Sequence, residues 1–76
     1  MSEQALAIID ECRMRLQEIG IEDVLIAVGS DTGIAFSFKG ATKSVAFLAM
    51  SAWMEILMES IGNSTIDSGP INFGGE

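Results

Sequence analysis

The chain has 76 residues, 49% of them hydrophobic, and four Lys and Arg against eleven Asp and Glu give a formal net charge of -7. Such a length excludes more than one domain. Such a charge opposes nucleic-acid backbones, which are bound by neutralising phosphates, and anionic membrane surfaces.

The start, Met1-Ser2-Glu3-Gln4, shows neither the basic nor the apolar run of a secretory signal. Together with Cys12 as the single cysteine, it points to a reducing cytoplasm. One thiol cannot form an intrachain disulfide. Without histidine, it cannot build a zinc cage either, so no metal and no cofactor are expected. Small domains usually need a staple, and self-association is the one left.

The first predicted helix runs from Ser2 to Ile19, with Ser2 as N-cap. Spacing of about 100° per residue puts Ala5, Ile8, Ile9, Cys12, Leu16 and Ile19 on one apolar face. Cys12 there reads as inert packing. Gly20 stands where a left-handed residue closes a helix, and Ile21 can fold back on the last turn.

Val24 to Val28 and Ile34 to Phe38 read as strands of a hairpin, joined by the turn-forming loop Gly29-Ser30-Asp31-Thr32-Gly33. The expected register sets Val28 against Ile34, Ile26 against Phe36 and Val24 against Phe38. It leaves Leu25, Ala27, Ala35 and Ser37 on the other side. The first helix is expected to pack on the face holding Ile26 and Phe36, beside the second helix.

The second helix is predicted from Thr42 to Ile61, ended by Gly62-Asn63. Ser44, Ser51, Glu55 and Glu59 form one polar stripe, and the remaining arc, about two-thirds of the circumference, is apolar. Val45 to Met58 is too short, and too close to Lys43, Glu55 and Glu59, for a membrane span. One hairpin and one short helix cannot cover the whole arc. The helix offers either its Met-rich side or its alanine-rich side, Val45, Ala49, Ala52 and Ile56, to another subunit; Phe47, Met50, Trp53, Met54, Leu57 and Met58 are the candidate interface, with Trp53 as a candidate hot spot. The expected fold is a small α+β domain of order α-β-β-α over residues 1–62, with two helices packed on an antiparallel hairpin and completed by self-association. Residues 63–76, rich in glycine and polar residues, read as a flexible tail. Ile71-Asn72-Phe73 could dock as a strand on a hairpin edge.

No catalytic residue is expected. Histidine, the usual general base, is absent. The adjacent acids Asp10-Glu11 and Glu22-Asp23 read as solvated surface. The sharpest local signal is Lys39-Gly40-Ala41-Thr42-Lys43-Ser44, where a strand turns into a helix. Lys39, Gly40, Thr42, Lys43 and Ser44 could hold a nucleotide or other small anion, since helix-start N–H groups attract negative charge. The segment ends like a phosphate-binding loop but lacks its first glycine.

The function expected first is that of a homo-oligomeric protein-interaction module that binds, and by binding inhibits, a host protein. Phages and mobile elements make short acidic inhibitors of this kind, by analogy only. Charge spread along the chain speaks against mimicry of DNA. The alternative is a protein that sequesters a small anion at the Lys39–Ser44 turn.

Overall fold

The computed structural model describes residues 2–66 and 69–70. The readings of the tail beyond these, including the docking of Ile71-Asn72-Phe73, lie outside the described residues. Helix α1 spans Glu3–Glu18, strand β1 Val24–Ser30, strand β2 Gly33–Lys39 and helix α2 Thr42–Glu59. The order is α-β-β-α, and the two strands form one antiparallel hairpin.

Local chemistry accounts for the helix ends. Ser2 Oγ accepts a hydrogen bond from the Ala5 backbone N–H at 3.2 Å, satisfying one of the orphan donors of a helix start. At the other end Gly20 has φ of 97°. Its N–H donates to the Gln17 carbonyl and that of Ile21 to the Leu16 carbonyl, both at 3.1 Å. That pair of bonds is the Schellman closure. Helix α2 ends two residues before the expected Ile61.

The hairpin register differs from the expected one by a single residue. Val24 pairs with Lys39, Ile26 with Ser37 and Val28 with Ala35. The reason is the turn. Ser30 pairs with Gly33, so only Asp31 and Thr32 form the loop. Ser30 Oγ accepts from the Thr32 N–H at 3.2 Å and lies 2.8 Å from Thr32 Oγ1, tightening the turn. Because side chains alternate across a strand, a shift of one residue exchanges their faces. Val24, Ile26, Val28, Ala35 and Ser37 share one face; Leu25, Ala27, Ile34, Phe36 and Phe38 share the other. Ile26 and Phe36 therefore lie on opposite faces, which corrects the packing expected for α1.

Helix α1 covers the face of small and branched residues. Ile9, Val24 and Ala35 are the buried apolar residues among those described, and Ser37 is buried with them. The half-buried side of α1 carries Ala5, Arg13, Leu16 and Gln17 around Ile9. Relative to the expected apolar face, the helix has rolled by roughly 60° at its 100° per residue. Ile8, Cys12 and Ile19 are consequently exposed. Helix α1 packs on both strands and α2 on β1, with no extensive contact between the helices.

A polar clamp explains the roll. Arg13 Nε donates to Ser37 Oγ at 2.8 Å, and its guanidinium donates to Asp10 Oδ1 at 2.9 Å and to Gln17 Oε1 at 2.6 Å. The Ser37 hydroxyl donates in turn to Asp10 Oδ1 at 2.9 Å. A buried serine needs such partners, and Arg13 reaches it only when the helix turns its polar flank inward. The hydrogen bond from Arg13, then that from Ser37, holds the Asp10 carboxyl below the usual aspartate range. Its contribution to stability is complete above the unfolded-state value of about 3.9. It is lost as pH falls through the lower folded value. Urea unfolding should therefore show Asp10→Asn less stable than the parent at pH 7. The gap should close as pH falls below about 3.9; an equal gap at both pH values would deny Asp10 this role.

Candidate functional site

Helix α2 has no buried residue. Phe47 is 68% exposed, Met50 64%, Trp53 62% and Met58 66%; Met54 and Leu57 are about half exposed. All six residues of the expected interface are thus exposed on α2. A groove of about 520 Å³ runs along it, lined by Phe47, Met50, Met54 and Met58 together with Leu48, Ser51 and Glu55. Ser44, Val45, Ser51 and Glu55 are only half-buried.

The second uncovered apolar surface is the aromatic face of the hairpin. Ile34, Phe36 and Phe38 are each more than half exposed. They follow from the register: with Ala35 and Ser37 turned to α1, the large side chains of β2 must point away from it. Between this face and the first half of α2 lies an open cleft of about 560 Å³, lined by Leu25, Phe36, Phe38, Val45, Ala46 and Ala49, with Lys39, Gly40 and Thr42 at one end. Sequence reasoning missed Ile34, Phe36 and Phe38 as a surface because it paired them with Val28, Ile26 and Val24. The two-residue turn at Asp31-Thr32 was the signal that could have revealed it.

At the Lys39–Ser44 turn, the backbone is closed by a carboxylate of the chain itself. Asp23 Oδ1 accepts from the Ala41 N–H at 3.0 Å, at the residue that caps α2 without a side-chain bond of its own. Gly40 has φ of 141°, and a Cβ built there would stand 2.9 Å from Asp23 Cα and against its carboxylate. The glycine lets β1 and the start of α2 meet. Lys43 and Ser44 line a separate hollow with Asp23, Phe47 and Leu48, whereas Lys39, Gly40 and Thr42 belong to the aromatic cleft. The five residues of the expected anion site are thus split between two hollows. Among the described residues neither lysine takes part in an ion pair, while Arg13 pairs with Asp10 and Arg15 with Glu11.

The Asp10–Arg13–Ser37 group might invite a catalytic reading, but its chemistry suits a clamp. The serine is buried, and a carboxylate of lowered pKa accepting its proton is a poor base. Sequence reasoning missed this group too. Arg13 stands four residues after Ile9 and three before Leu16, which places it on their face of the helix.

No family model matches the chain, and no curated protein or solved structure shows significant similarity to it. Among the described residues, no helix is long and apolar enough to cross a membrane.

Proposed function

We propose that this chain is a small acidic protein-interaction module that works as a homo-oligomer and, once assembled, binds and inhibits another protein. The observation that carries this reading is the contrast between Ile9, Val24 and Ala35 as the buried apolar residues and α2, which buries none. Monomeric soluble proteins seldom expose continuous apolar patches of this extent. Burial of apolar surface is the main favourable term in folding and must offset the loss of chain entropy. A chain with so little of its own core gains most by covering α2 with a partner. The acidic exterior then supplies solubility and favours a basic target.

The test is solution mass by size-exclusion chromatography with light scattering, followed across a dilution series by fluorescence of Trp53, the one tryptophan. Assembly predicts a mass of at least twice 8.1 kDa and a red shift of emission on dilution. A mass of one chain at every concentration would overturn self-association. A tagged assembly that retains no protein from a host extract would count against the inhibitory part.

A second reading is favoured by one observation: the aromatic cleft carries Lys39, Gly40 and Thr42 at its end, beside Phe36 and Phe38. Aromatic faces can stack on a base while a lysine and a hydroxyl hold a phosphate. Under this reading a nucleoside triphosphate raises the melting temperature. Lys39→Glu with Lys43→Glu removes the rise while leaving the fold intact, since both lysines are exposed. No rise with any nucleotide would dispose of it.

A further inference from the structure

We infer that the partner of α2 is α2 of a second copy, laid antiparallel, with Phe47, Met50, Met54, Leu57 and Ile61 as the shared seam. The inference rests on the self-association proposed above and adds its geometry.

Three observations carry it. The first is spacing. Phe47, Met50, Met54 and Leu57 follow one another at intervals of three, four and three, the heptad spacing at which a helix keeps one stripe against a neighbour and sets knobs into holes, and Ile61 continues the interval just past the end of α2. All five are exposed, Phe47 by 68% and Ile61 by 80%. Beside the seam stand Ala46, Ser51, Trp53, Met58 and Ser60, none charged, and Glu55, which also lines the groove, is the nearest carboxylate to it.

The second is area. Phe47, Met50, Trp53, Met54, Leu57 and Met58 are each about half to two-thirds exposed. Six large side chains exposed to this degree present on the order of several hundred Å² together, the scale of the ~800 Å² that one partner contributes to a standard interface.

The third is charge order, and it selects the direction. Helix α2 has no acidic residue in its first turn and no basic residue in its last. Instead Lys43 stands near its start and Glu59 ends it, each facing the wrong end of the helix dipole. An antiparallel mate reverses the relation for Lys43, which stands four residues before Phe47 on the same stripe. With Met50 opposite Met54, Phe47 comes opposite Leu57 and Lys43 comes to the electronegative end of the mate. A parallel mate would set Lys43 beside Lys43. An unrelated helix could fill the groove, but a copy of the same chain supplies the matching seam, its reversed dipole and its presence wherever the chain is made.

Crosslinking separates the possibilities. In a Cys12→Ser background, Phe47→Cys and a longer, tagged Leu57→Cys are refolded together and oxidised. The expected product is the mixed disulfide, with little self-linked product from either variant alone. Met50→Cys with Met54→Cys repeats the test at the central layer, should the first pair fold poorly. Self-linked Phe47→Cys would show a parallel pair and overturn the proposal. So would a dimeric mass without any of these crosslinks, which would leave self-association standing but move it to another face. A monomeric mass for the parent would overturn this proposal and the self-association beneath it together.

Discussion

Met54→Asp is expected to dissociate the assembly. Met54 lies at the middle of the exposed apolar row of α2 and is 53% exposed in the single chain, so an aspartate is harmless there until a partner covers it. A carboxylate buried at the centre of an apolar interface has no cation to pair with. Leaving it there costs several times the loss of the methionine contact. A central interface position is worth about 2–4 kcal/mol when truncated, so the dissociation constant should rise by roughly 30- to 1000-fold. Light scattering should then find the mass of a single chain at micromolar concentration. Helical circular dichroism should fall as well, because α2 has little else holding it. Ala52→Asp is the matched control. Ala52 is exposed on the side of α2 away from the seam, and its replacement should leave the mass unchanged. The opposite pattern, with Ala52→Asp dissociating the protein and Met54→Asp not, would show that the alanine-rich side is the interface.

Gly40→Ala is expected to be the most damaging small substitution in the fold. Two costs add at this position. Alanine at φ of 141° occupies a backbone region that a Cβ strongly disfavours, at about 1–3 kcal/mol. The new methyl also stands 2.9 Å from Asp23 Cα, and an overpacked contact of that kind costs about 1–3 kcal/mol. Relief would require Asp23 to move and release its bond to the Ala41 N–H. The combined loss of about 2–6 kcal/mol corresponds to a melting temperature lower by at least ~8 °C for a domain of this size. Asp23→Ala, which removes the bond but adds no clash, should lower it by less. Equal losses in the two variants would mean that the hydrogen bond, and not the backbone of Gly40, holds the corner. Gly20→Ala offers a further comparison, since a Cβ there meets nothing within 4 Å and only the backbone cost remains.

Much of this protein is legible along the chain because local chemistry determines it. Ser2 caps α1, and Gly20 closes it through bonds that span at most five residues. The branched and aromatic runs on either side of Asp31-Thr32 make the strands. The apolar excess of α2 is likewise a property of its own periodicity, and its exposure follows from the lack of enough chain to cover it.

Only the tertiary structure decided the rest, and in each instance a single long-range choice was responsible. The faces of the hairpin hang on whether the loop has two residues or five, a difference that pairing preference between Ile26 and Phe36 could not resolve. The roll of α1 depends on Arg13 finding Ser37, 24 residues away. Two polar residues in apolar surroundings gain more from meeting each other than Cys12 and Ile8 gain from burial. The corner before α2 depends on Asp23 reaching Ala41 across 18 residues. Capping and periodicity are written in neighbouring residues, whereas register, roll and corner depend on which distant groups can satisfy one another at the same time.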